Sequence, residues 1–199
     1  MSSGFAHLNL RWNPFGEPDP SERPDLVVGN VSHWVDRLRR PGVAIQFVGE
    51  HGRGKSSRLL ALHRNGRFPY YRAGRQVVPI HSGTLLIDEA QQLTWGRRWR
   101  VFRACSALAL TTHADLSSQL IKAGFTVETV SVCGASAETV AAIFERRLAW
   151  ARKGDGPLPH VPQQTIEHLL HRFGDDIRGM EACLYDCVQD MTAIGPIIL

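Results

Sequence analysis

At 199 residues the chain is long enough for one substantial core with a small appended domain. No apolar run approaches the ~20 residues of a membrane-spanning helix, and the opening "MSSGFAHLNLRW" lacks the basic-then-apolar layout of a signal peptide. A cytoplasmic protein with no membrane partner is therefore expected. With 23 Lys and Arg against 19 Asp and Glu, the net charge of +4 is compatible with nucleic acid without requiring it.

None of the four cysteines (Cys105, Cys133, Cys183 and Cys187) belongs to a CxxC pair, and their apolar surroundings predict buried free thiols. Cys183 and Cys187, with His168 and His171 before them, match no zinc-ligand spacing.

The first segment, "WNPFGEPDPSERPD", holds four prolines and predicts an ordered arm. In "VSHWVDRLRR", Val31, Trp34, Val35 and Leu38 fall at i, i+3, i+4 and i+7, an amphipathic helix ended by Pro41 and Gly42. The apolar run Val43–Val48 then predicts a buried strand, and Leu59, Leu60 and Leu62 a helix. Between them stands "GEHGRGKSS". Gly49, four residues, Gly54, Lys55 and Ser56 satisfy GxxxxGK[S/T], the phosphate-binding P-loop.

The chemistry explains the residue types. Gly49, Gly52 and Gly54 let successive backbone N–H groups turn inward around a phosphate. Lys55 adds charge, the new helix points its unsatisfied N–H groups at the same anion, and the Ser56 hydroxyl suits Mg²⁺.

Further on, "RFPYYRA" and "QVVPI" are short β-prone pieces with breakers. Thr84–Ile87 predicts an apolar strand with Asp88 and Glu89 at its carboxyl end, where ligands bind in open α/β sheets. Asp88 there can share Mg²⁺ with Ser56, while Glu89 can polarise a water. "WGRRWRVFRAC" predicts a helix whose Arg97, Arg98, Trp99 and Arg100 are candidates for touching nucleic acid, although a solvated basic face has the same composition. "ALALTT" predicts a strand, "DLSSQLIKAGF" a helix closed by Gly124, and "TVETVSV" another strand. From Ser136, an N-cap, the chain turns helical through "SAETVAAIFERRLAWARKG", "VPQQTIEHLLHRFG" and "DIRGMEACLYDCVQDM".

Taken together, "GEHGRGKS", "LLIDEA", "LALTTH" and "GDDIRGMEACLYD" resemble Walker A, Walker B, sensor 1 and sensor 2 of the AAA+ ATPases, and "LRWNPFGEP" is similar to the adenine-pocket arm of transposition and secretion ATPases. The resemblance implies an α/β fold: a P-loop NTPase parallel sheet flanked by helices, with a small C-terminal α-helical lid. It divides the chain into an arm (1–30), an α/β ATPase domain (31–134) and a lid (135–199).

It also implies that ATP is bound by Asn13, Phe15, Gly49, His51, Gly52, Arg53, Gly54, Lys55, Ser56, Ser57 and Arg178, with Mg²⁺ on Ser56 and Asp88. The implied catalytic set is Lys55, Asp88, Glu89, Thr112 (or its neighbour Thr111) and Arg178. Two departures stand out. Only 32 residues separate Lys55 from Asp88, a reduced version of the family, and the helix after "LALTTH" holds Lys122 but no arginine to reach a neighbouring subunit.

The expected activity is ATP hydrolysis, slow without a partner or oligomer. The expected role is that of a switch or assembly factor acting on double-stranded DNA or a DNA-bound complex. A regulatory ATPase with a purely protein partner is the alternative, and a small-molecule kinase fits less well because of the Asp88–Glu89 pair and the arginine-bearing lid.

Overall fold

In the computed structural model, which describes residues 4–132, 134 and 136–199, the apolar runs of the first part become five strands. They are β1 (Val43–Val48), β2 (Tyr70–Arg72), β3 (Thr84–Asp88), β4 (Ala107–Thr112) and β5 (Thr126–Ser131). All pairings are parallel, in the order β2-β3-β4-β1-β5. Parallel strands need crossover connections, and helices α1 (Ser32–Leu38), α2 (Lys55–Gly66), α3 (Trp95–Ala104) and α4 (Ser117–Ala123) are distributed among them.

These helices explain why the central strands read as continuous apolar runs: both faces of the sheet are covered. Ile45, Phe47, Leu86 and Ala109 pack with Leu38, Leu59 and Leu62 from α1 and α2. The alternate positions Ala44, Leu85, Ile87, Leu108 and Leu110 pack with Val101, Phe102 and Leu120 from α3 and α4. Gln46 is the polar exception on β1. It is fully buried, and its amide donates to Asp115, Ser117 and Thr129 at 2.6–2.8 Å while accepting from the Leu116 N–H at 3.0 Å.

Between β2 and β3 the chain forms no helix, and residues 76–80, β-prone by sequence, form no strand. The physical reason is visible in the turn. The Gln76 side-chain carbonyl accepts from the Arg72 N–H at 2.9 Å, the Gln76 N–H donates to the Arg72 carbonyl at 3.0 Å, and Pro79 breaks the stretch beyond the turn.

The chain divides into two compact units, Arg23–Cys133 and the pairing of Met1–Glu22 with Gly134–Leu199. The arm expected over 1–30 thus splits at Glu22. Residues 23–26 form a short 3-10 turn against α2, whereas the earlier residues belong with α5 (Ala137–Ala151), α6 (Gln163–Phe173) and α7 (Ile177–Gln189). Ser136 caps α5 by accepting from the Thr139 N–H, and Asp176 caps α7 by accepting from the Gly179 N–H.

Leu8, Leu10 and Phe15 of the arm enter the same core as Phe144, Leu148, Ile166, Leu169, Met180 and Leu184. Cys105, Cys183 and Cys187 are free, partly buried thiols; Cys133 lies outside the described residues. Among the described residues no helix is long and apolar enough to cross a membrane, and no cluster of three His, Cys, Asp or Glu side chains could hold a metal.

Candidate nucleotide site

The sheet order brings the ends of four parallel strands together at one edge. β1 runs into the P-loop, and the register sets Thr111 and Thr112 of β4 opposite Phe47 and Val48. β3 ends at Asp88 beside β4, and Arg72 of β2 lies opposite Asp88.

The loop between β1 and α2 requires its glycines. A Cβ on Gly49 would lie 2.5 Å from the Val132 carbonyl oxygen, and Gly54 sits at φ +78° as the residue before α2. Gly54 provides no side-chain cap, so the first N–H groups of α2 are available to an anion. Lys55 is a buried residue, and its ammonium donates to the carbonyls of Gly49 at 2.7 Å and Glu50 at 2.6 Å. Burial lowers its pKa, against the opposing pull of Asp88 and Glu50. His51 meets His113, the residue just after β4, with ring centroids 4.0 Å apart and the planes tilted by 47°. Ser57 lies on the first turn of α2, and Arg53 is within the loop, just before Gly54.

Asp88 is 1% exposed, and three hydroxyls satisfy it. Its Oδ1 accepts from Ser56 at 2.9 Å and Thr111 at 2.5 Å, and its Oδ2 accepts from Tyr70 at 2.9 Å. Burial and the neighbouring Asp88 raise the Tyr70 pKa, so the phenol stays a donor. Thr111 also accepts from the Glu89 N–H at 2.8 Å, whereas the Thr112 hydroxyl donates to the Ala114 carbonyl at 2.8 Å. Of the two threonines, Thr111 is the one that touches the carboxylate pair.

Glu89 adopts a left-handed backbone (φ +57°, ψ +46°), a conformation that costs a non-glycine residue on the order of 1–3 kcal/mol. Its Oε1 accepts from Arg72 Nη2 at 2.7 Å. That hydrogen bond holds the Glu89 carboxyl below the ordinary glutamate range, with the Arg72 charge adding to it and partial burial opposing.

No protein-family model and no curated protein matches the chain. Among solved structures, an arginine-to-alanine variant of RuvB from Thermotoga maritima superposes with a TM-score of 0.59 and 14% identity, covering 91% of this chain and 66% of that one. The T. maritima RuvB Holliday junction branch migration motor gives 0.57 and 13%, covering 92% and 66%. NtrX from Brucella abortus, in complex with ADP, gives 0.53 and 12%, covering 84% and 52%. The fold is a P-loop NTPase parallel sheet flanked by helices, as in these RuvB and NtrX structures. The chain spans just under two thirds of the RuvB length and about half that of NtrX.

Within this fold, Tyr70 and Arg72 are the site residues that sequence reasoning missed. The "RFPYYRA" run gave only β propensity, and nothing local says that this three-residue strand borders the strand ending at Asp88. Asn13, Phe15 and Arg178 belong to the lid unit. There Asn13 Nδ2 donates to the Tyr185 carbonyl at 2.9 Å, its Oδ1 accepts from the Phe15 N–H at 3.1 Å, and Phe15 meets Phe144 edge-on. Arg178 is exposed on the first turn of α7. Lys122 is exposed near the end of α4. On α3, Arg97 donates to the Val78 carbonyl at 2.5 Å and Arg98 is half-buried, while Arg100 is exposed and Trp99 half-buried.

Proposed function

We propose that the chain is an AAA+-type ATPase that binds and hydrolyses ATP with Mg²⁺ and works as a switch or assembly factor on DNA or a DNA-bound complex. The observation that carries this reading is the hydroxyl cradle around Asp88, set beside a glycine loop whose lysine and serine face the same acid. Ser56 Oγ and Asp88 Oδ1, 2.9 Å apart, are a hydroxyl–carboxylate pair of the hard-oxygen type that Mg²⁺ takes together with water and phosphate oxygens. The ion would neutralise phosphate charge there. Lys55 would exchange two loop carbonyls for β- and γ-phosphate oxygens, and the first amides of α2 would hold the β-phosphate.

Glu89 is the general base for water in this reading. Its ion pair with Arg72 lowers its proton affinity, so the base works best when that pair opens. Thr111 ties the Glu89 backbone to Asp88 and positions both. The nucleotide roles that the resemblance implies for Arg178, Asn13 and Phe15 are part of this proposal. A trans-acting cation is not supplied by any arginine of α4, consistent with slow turnover of the isolated chain.

The test joins nucleotide binding, phosphate release and DNA binding. Lys55→Ala should abolish tight ATP binding. Glu89→Gln should keep it and lose hydrolysis by about 10²-fold or more. ATP affinity unchanged in Lys55→Ala would refute the nucleotide site, and DNA binding absent under all nucleotide conditions would leave the protein-partner ATPase in its place.

A further inference from the structure

The outer side of α3 is built differently from the other helices around the sheet. Val101 and Phe102 are buried and anchor it, yet Trp95 is 67% exposed. The indoles of Trp95 and Trp99 lie parallel, at 1° between planes, with centroids 6.3 Å apart. One turn further on, the Arg103 guanidinium sits over Trp99 at 5.9 Å. Residues 95, 99 and 103 therefore form a ladder of flat groups at i, i+4 and i+8 along one stripe.

The rung spacing is informative. Bases in a strand stack ~3.4 Å apart, so a base between two rings needs them roughly 6.8 Å apart. The centroid distance of 6.3 Å is an upper bound on the gap between the two parallel planes, so a base enters once the exposed Trp95 ring swings outward to another rotamer. Arg100 and Arg103 are exposed on the same helix, and α3 contains no acidic residue to repel phosphate. Gly96 lies beside the ladder, and a Cβ there would meet nothing within 4 Å. Glycine in a helix costs about 0.5–1 kcal/mol relative to alanine. Packing gives no reason for it, whereas a side-chain-free notch lets a backbone approach the rings.

We propose that α3 carries a stacking slot for unpaired nucleobases, formed by Trp95 and Trp99 and flanked by Arg100 and Arg103. This inference rests on the DNA reading above and narrows it to single-stranded or locally unpaired DNA. Duplex bases are already stacked on each other, and opening a step to admit a ring costs a few kcal/mol. An unpaired strand offers its base faces without that cost, and its phosphates can track the exposed Arg100 and Arg103 guanidiniums.

The experiment uses the full chain with a labelled oligothymidylate and a blunt duplex of the same length, titrated over a range of salt. Oligothymidylate should bind more tightly than duplex and quench tryptophan fluorescence. Trp95→Ala and Trp99→Ala should each weaken it about tenfold with the salt slope kept. Trp95→Phe should recover most of the affinity, and Arg100→Ala with Arg103→Ala should flatten the salt slope. ATP affinity and melting temperature serve as folding controls, and Trp95, being exposed, is the variant expected to leave both unchanged. Single-strand affinity unaltered in a folded Trp95→Ala variant would overturn the stacking slot while leaving the DNA reading intact, as would tighter binding of duplex. Binding of neither nucleic acid would overturn both.

Discussion

Arg72 and Glu89 form an ion pair at 2.7 Å across two neighbouring strand ends, joining the general base of the proposed reaction to a strand only three residues long. Both side chains are partly exposed, so the pair can open without breaking the core. Arg72→Ala is expected to raise basal ATP hydrolysis by at least about threefold, because the freed carboxylate regains proton affinity. Phosphate release at saturating ATP reads this directly, and a fall in rate would make Arg72 a positioning residue instead of a restraint.

The same pair gives a pH signature. Glu89 has a lowered pKa in the folded chain, so its contribution to stability is present above the unfolded value of about 4.3 and is lost as pH falls through the folded value. Wild type and Arg72→Ala should therefore differ in melting temperature near neutral pH and converge as pH drops below about 4. A difference that grows on acidification would contradict the assignment.

Thr111 and Thr112 are adjacent, but their hydroxyls do different work. Thr111→Val keeps shape and removes bonds to Asp88 and the Glu89 N–H, and hydrolysis should fall about tenfold or more. Thr112→Val removes a bond to the loop at Ala114 and should act more on melting temperature than on turnover. Equal losses of turnover in the two variants would erase the distinction.

The P-loop and the Asp88–Glu89 pair were legible because each is a local spacing between a strand and the residues directly after it. The arrangement around them was not, since Tyr70 and Arg72 reach the acids through strand order, a non-local property. The choice between Thr111 and Thr112 depends on which way each side chain leaves β4, and an all-buried strand has no polar face to reveal it. The arm gives a similar lesson: Asn13 bonds a carbonyl 172 residues away, and no spacing within "WNPFGEP" announces that partner.

Gln46 tests how much the strand end depends on one buried amide. It joins Asp115, Leu116, Ser117 and Thr129, so it fixes the start of α4 to the sheet. Gln46→Leu matches the apolar neighbours on β1 but strands the Leu116 N–H and the groups that faced the amide. A loss of about 1–3 kcal/mol is expected in denaturant unfolding. A neutral or stabilising result would mean that those groups find other partners.

In the lid unit, Arg147 and Glu181 are a nearly enclosed pair, with side chains 7% and 15% exposed and an N···O distance of 2.6 Å. Arg147 also donates to the Gly16 carbonyl at 3.0 Å, so one guanidinium links α5, α7 and the arm. Arg147→Met keeps the aliphatic volume but takes the Arg147 charge away from the enclosed Glu181 carboxylate, a change expected to cost up to about 3–5 kcal/mol. Removing both charges with Arg147→Met and Glu181→Leu should recover much of that loss, because an apolar pair avoids the desolvation cost of both ions. The arm should then be held less firmly, having lost the bond to Gly16, and limited proteolysis between residues 16 and 22 would detect this as faster cleavage than in wild type. Full additivity of the two single-variant losses in denaturant unfolding would show that the ions act separately, and the lock between α5 and α7 would be discarded.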